Sequence, residues 1–151
     1  MRAHRGFTLL ELMVVVALIA LATTSVVVSL RDSNETRLET EALRLGALLD
    51  AARAQSRTSG VPVLWRAGTD GFGFGPAGAA TPTASTPVPQ PKPWLHEGTT
   101  VQIVQPAEAR WLVLGPEPLT VPQRIELRLG EARLTLASDG LGPFSVLRGT
   151  P

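Results

Sequence analysis

The order of patterns along this 151-residue chain predicts an α+β fold, a long amino-terminal helix followed by an antiparallel β-sheet. No proline interrupts residues 1–61, and Leu38, Ala42, Leu45, Leu49 and Ala52 recur there at spacings of four and three, the stripe of an amphipathic helix. Past residue 94 the period changes to two. Glu126, Arg128 and Arg133 alternate with Ile125, Leu127, Leu129 and Leu134, as in half-buried antiparallel strands. The sheet supplies the apolar surface that the helical stripe needs.

The first element is apolar and holds one acid. Arg2 and Arg5 stand in a short polar head, residues 12–30 are uncharged, and within residues 7–30 the single ionisable side chain is Glu11. Nineteen residues at a rise of about 1.5 Å each approach the thickness of a bilayer's hydrocarbon core. The fourteen Phe, Leu, Ile and Val residues in 7–30 favour insertion by roughly 4 to 8 kcal/mol, more than the ~3 kcal/mol that a mid-helix acid costs. The segment is therefore expected to insert despite Glu11. An ordinary secretory signal fits less well: the run is too long, no small-x-small site closes it, and the acid has no role.

Gly6-Phe7-Thr8-Leu9-Leu10-Glu11, with arginines before Gly6 and an apolar run after Glu11, resembles the class III signal of type IV pilins and pseudopilins. The resemblance implies that a membrane-embedded prepilin peptidase cuts after Gly6 on the cytoplasmic side and methylates the new terminus, Phe7. It also places the family's acid on Glu11. A freed Phe7 amine is cationic at neutral pH, and Glu11 lies four residues on, one helical turn away on the same face. A carboxylate in low dielectric requires a partner, so Glu11 is expected to pair with this amine in cis in the membrane and with a neighbour's amine in a filament. Loss of Arg2 and Arg5 takes the chain from 14 basic and 13 acidic residues to 12 and 13.

Four segments follow: a leader at 1–6, a transmembrane and filament-core helix at 7–30, an amphipathic helix at 31–59 and a β-rich head at 60–151. The arginines before the helix, with no acid among them, keep the amino terminus cytoplasmic and send the head across the inner membrane. Arg37, Glu39, Glu41, Arg44, Asp50 and Arg53 are assigned mostly to the solvent faces of the second helical segment, which Gly60 and Pro62 end. Strands are expected at 61–66, around Phe72 and Phe74 after a turn at Thr69-Asp70-Gly71, and at 99–104, 110–114, 124–129, 133–136 and 144–147. A hairpin turn is expected at residues 129–132. Residues 75–93, with six prolines, are predicted to form an irregular or polyproline-type surface loop, with docking of a neighbour as its functional alternative. Trp65, Trp94 and Trp111 are candidate interface anchors, with core packing expected for at least two.

Several chemistries are excluded. There is no cysteine, hence neither a disulfide nor a thiolate metal site. Gly73-Phe74-Gly75-Pro76-Ala77-Gly78 matches a dinucleotide-binding string, but the prolines after it forbid the required helix, and it reads as a glycine-rich turn. Asn34-Glu35-Thr36 lies within the helix, where a glycosylation acceptor is not expected. His96 beside Glu97 has no nucleophile to serve, so no enzyme is expected. Acids are too sparse near the carboxyl end for calcium, and Asp139-Gly140 reads as a turn; no metal and no cofactor is expected. The one lysine, Lys92, and dispersed arginines give no phosphate-binding patch, so no nucleic-acid partner is expected.

The helix end at residues 51–57, the Asp70-Gly71-Phe72-Gly73-Phe74 element and the terminal Ala137-Ser138-Asp139-Gly140 with Pro143-Phe144 are similar to the GspH/FimT group of minor pilin-like proteins. Filament subunits often carry proline at the twenty-second mature position, which here is Val28. That resemblance implies a type IV pilin-like fold and an H-type minor pseudopilin near the tip of the type II secretion pseudopilus, helping exoprotein export. Its partners would be other minor and major pseudopilins, prepilin peptidase, the inner-membrane assembly platform and, before assembly, inner-membrane lipid. The alternative it implies is a minor pilin of type IV pili, acting in pilus assembly or DNA uptake.

Overall fold

A computed structural model describes residues 9–77 and 91–147, with side chains outside residues 22–32. Its first element is α1, Leu9–Ser59, with Glu11 in the first turn and Arg57 in the last, each favourable to the helix dipole. The helix continues through Val28, Asn34, Glu35 and Thr36. It stops where expected: Gly60 has a φ of 71°, and its N–H donates to the Ser56 carbonyl at 2.8 Å, a left-handed cap before Pro62.

Residues 1–33 and 34–151 form separate units. In the first, every described side chain from Leu9 to Leu21 is exposed. In the second, Leu38, Ala42, Leu45, Leu49 and Ala52 are all buried, so the predicted stripe is the helix's contribution to the core.

Among the described residues eight strands follow α1: β1 (Val63–Ala67), β2 (Gly71–Pro76), β3 (Lys92–Pro93), β4 (Thr100–Gln105), β5 (Leu112–Leu114), β6 (Gln123–Leu129), β7 (Ala132–Ser138) and β8 (Ser145–Leu147). They form two four-stranded sheets rather than one, in the orders β3-β2-β1-β5 and β4-β6-β7-β8, every pair antiparallel. Inward rows run across the second sheet, Ile103–Ile125–Leu136–Val146 and Val101–Leu127–Leu134. From the first sheet Trp65, Phe72, Leu112 and Leu114 join the helical stripe and the second sheet's residues in one core. Leu129 and Ala132 pair directly, so Gly130-Glu131 is the predicted tight hairpin.

Three further expectations change. The string at residues 73–78 does not form a turn; Gly73 to Pro76 lie in β2, where Phe72 packs against Trp65, Trp94 and the edge of Phe74 at centroid distances of 6.4, 4.8 and 6.0 Å. The loop at 75–93 is shorter than its proline content suggests. Pro76 closes one strand and Pro93 sits in β3 at the sheet edge, where a missing backbone donor is tolerated. A β-carbon on Gly71 would lie 2.2 Å from the Lys92 carbonyl oxygen, so the close approach of β2 and β3 requires glycine there. The middle of that loop, residues 78–90, lies outside the described residues. The tryptophans agree with the expectation that at least two pack in the core: Trp65 and Trp94 do, and Trp111 is half-buried. Finally, Glu41 and Arg53 are not on a solvent face: both are buried.

Candidate processing and assembly site

Gly6 and Phe7, the predicted cleavage and methylation residues, lie outside the described residues. Glu11 is in the first turn of α1 among exposed apolar side chains, with Leu10 at 73 % and Leu12 at 58 % exposure. Leu9, Met13, Val16, Leu18, Ile19 and Leu21 are also largely exposed, an apolar surface that surrounds the helix on all sides. Among the described residues no helix is long and apolar enough to cross a membrane; the side chains of 22–30, the second part of the expected span, are not among them.

In the second unit two buried charges tie the helix to the sheets. Glu41 is fully buried; its Oε2 accepts the Leu95 N–H at 2.6 Å and its Oε1 accepts from Arg44 at 3.1 Å. Arg44 in turn donates to the Pro93 carbonyl at 3.2 Å and lies 5.6 Å from the Phe72 ring centroid. The carboxylate therefore fixes the segment that carries Trp94.

Arg53, three turns further on, is 4 % exposed. Its guanidinium donates to Ser138 Oγ at 3.3 Å, the Gly142 carbonyl at 3.1 Å, Thr120 Oγ1 at 3.3 Å and Gln123 Oε1 at 3.4 Å, and stacks 5.3 Å from the Phe144 ring centroid. All four acceptors are neutral. Burial pushes its pKa down, with the Asp50 charge opposing that shift. Spacing alone put both residues at the buried face, since Glu41 follows Leu38 by three and Arg53 follows Leu49 by four. Their charge argued otherwise, and, apart from Arg44 beside Glu41, the partners that reverse that argument are 54 or more residues away in sequence.

The carboxyl-terminal turn is built by Asp139, whose Oδ1 accepts the N–H groups of Leu141 at 2.9 Å and Gly142 at 2.8 Å. These backbone bonds hold its carboxyl below the usual range. Beside it an open groove of about 360 Å³ crosses the outer face of the second sheet along the row Gln105–Arg124–Ala137–Ser145, with small Ala137 in the floor. Its Ser138 hydroxyl is already engaged, donating to the Gly142 carbonyl at 2.9 Å. On the same face Glu126 pairs with both Arg128 and Arg133. His96 lies in the turn before β4, its carbonyl accepting from Thr99, and Glu97 is exposed. Among the described residues no three His, Cys, Asp or Glu side chains converge as a metal site.

No curated protein and no solved structure matches the chain. The amino terminus does match a family model: residues 1–27 carry the prokaryotic N-terminal methylation motif, the class III signal typical of membrane-anchored pilins. The signal implies processing by prepilin peptidase and assembly with other pilin-type subunits, and with the helix-on-sheet architecture behind it the chain is consistent with a type IV pilin-like protein.

Proposed function

We propose that the chain is a structural minor pseudopilin of the H type, made as an inner-membrane precursor with a periplasmic head and incorporated near the tip of a type II secretion pseudopilus. Residues 1–6 are its leader, 7–30 its membrane and filament-core helix, and 34 onward its head, which has the type IV pilin-like arrangement. Other pseudopilins and the inner-membrane platform are its partners, and it turns over no substrate. The observation that carries the reading is the methylation motif at residues 1–27 ahead of an α+β head. Weighing against the alternative, a pilin that takes up DNA, is the engagement of Arg128 and Arg133 by Glu126, which offsets positive charge on that sheet face.

Co-expression with a prepilin peptidase tests the processing half. Intact mass is expected to show loss of residues 1–6 and one methyl group on Phe7, and no change for a Gly6→Leu variant. An unprocessed parent overturns the reading. For the assembly half, Glu11→Leu is expected to be processed but to lose cross-linking to other pilin-type subunits; assembly with the same partners at parental efficiency removes the ion-pair role. Recovery of the parent with secretion subunits rather than pilus subunits separates pseudopilin from pilin.

A further inference from the structure

We propose that the free edge of β4 is a self-association site, at which β4 of one copy of this chain pairs antiparallel with β4 of a second copy. This does not depend on how the amino-terminal signal is read. The two sheets end in four edge strands, β3, β5, β4 and β8. Three of them are blunted. β3 consists of Lys92 and Pro93, a charge and a missing donor; β5 and β8 have three residues each, with Pro116 and Pro143 two residues beyond their ends.

β4 is blunted at one end alone, where Pro106 follows it and a bulge lies between Ile103 and Gln105; Thr100 to Ile103 keep a regular register with β6. The six residues of β4, Thr-Val-Gln-Ile-Val-Gln, include no charge, no proline and no glycine, the composition that favours strand-on-strand pairing. Among the described residues its paired strand is β6, on one side. Val101 and Ile103 are the outermost members of the inward rows and pack against the core while only half-buried. Val104 is 45 % exposed. A strand laid along this edge completes the apolar rows if it is uncharged and carries β-branched side chains at alternate positions.

β4 is itself such a strand, which is why the occupant is a second copy. Antiparallel neighbours keep their faces matched when directly opposed residues point the same way. A two-fold register centred on Gln102 does this, placing Val101 opposite the second copy's Ile103, Gln102 opposite Gln102 and Thr100 opposite Val104. The inner face then joins Val to Ile, and the outer face joins two amides that both donate and accept. The irregularity between Ile103 and Gln105 limits the pairing, and Gly98 and Pro106 fall outside it. So short an edge buries less than the ~1,200 Å² of a stable interface, so the contact is a weak one that a trapping experiment reads better than isolation of the dimer.

The cysteine-free chain makes that experiment direct. Single variants Gln102→Cys, Thr100→Cys and Val113→Cys, all at exposed strand positions, are prepared as the full chain in detergent and treated with a mild oxidant. The register sets the two residues 102 about 5 Å apart, within disulfide reach, and the two residues 100 about 13 Å apart, beyond it. Association through the amino-terminal helix would not discriminate among the three positions. The expected result is covalent dimer forming at least about tenfold faster from Gln102→Cys than from the other two. A smaller preference, a faster reaction at Thr100→Cys or Val113→Cys, or no dimer from any variant overturns the proposal.

Discussion

Arg53 carries more of the head's polar architecture than any other described side chain, because one planar guanidinium serves acceptors from Thr120, Gln123, Ser138 and Gly142. Replacing it by Met preserves apolar bulk but leaves those acceptors without this donor. Arg53→Met is expected to lower unfolding free energy by about 2–4 kcal/mol in a denaturant titration, and Arg53→Lys to recover less than half of that loss, since an ammonium lacks the fork. Asp139 predicts a pH dependence. Its folded pKa is depressed by the Leu141 and Gly142 N–H groups, so its stabilisation is present above the ordinary carboxylate range and is lost as pH falls through the folded value. Asn at this position keeps a neutral acceptor. The melting temperature of the parent is therefore expected to exceed that of Asp139→Asn at neutral pH, and the gap to close on acidification. Legibility at this scale was uneven. The five stripe residues and the Asp139-Gly140 turn follow from spacing and local chemistry, whereas the burial of Glu41 and Arg53 depends on acceptors and donors from distant loops that no local pattern identifies.

At the scale of elements, the junction of β2 and β3 is the most sharply constrained. A methyl group at Gly71 meets the Lys92 backbone at 2.2 Å, and backbone cannot move aside as a side-chain tip can. Gly71→Ala is expected to separate β3 from β2 and loosen Trp94, whose indole N–H donates to the Gly68 carbonyl at 3.3 Å and whose ring packs at a tilt against Phe72. Red-shifted tryptophan emission with a lowered melting midpoint checks this; an unchanged spectrum contradicts it. The main strands were readable because β6 and β7 alternate cleanly and meet at a two-residue turn. β3 was not, since two residues at an edge leave no periodicity, and proline there is allowed by position rather than by propensity. Division into two sheets was equally hidden: alternation reports which face of a strand is buried, not which strand lies beside it.

At the scale of the whole molecule, every buried apolar residue of the core among the described residues lies at Leu38 or later. A fragment beginning at Asn34 is therefore expected to unfold cooperatively, with strand and helix signals intact in circular dichroism; a non-cooperative melt would show that residues before 34 contribute to the head's stability. The amino-terminal motif and the α+β class were open to reading from residue order alone, because a glycine, an aromatic and a spaced acid before an apolar run form a short, ordered pattern. Glu41 and Arg53 add a mechanical property to that plan. They fasten one rod to the head at two heights, about 18 Å apart at 1.5 Å per residue, the first to the segment before β4 and the second to the loops around β6 and β7. A rod pinned at two heights neither rolls about its axis nor slips lengthwise without breaking both fastenings together. A pull or a twist applied to this helix within the head is thus met at both fastenings at once.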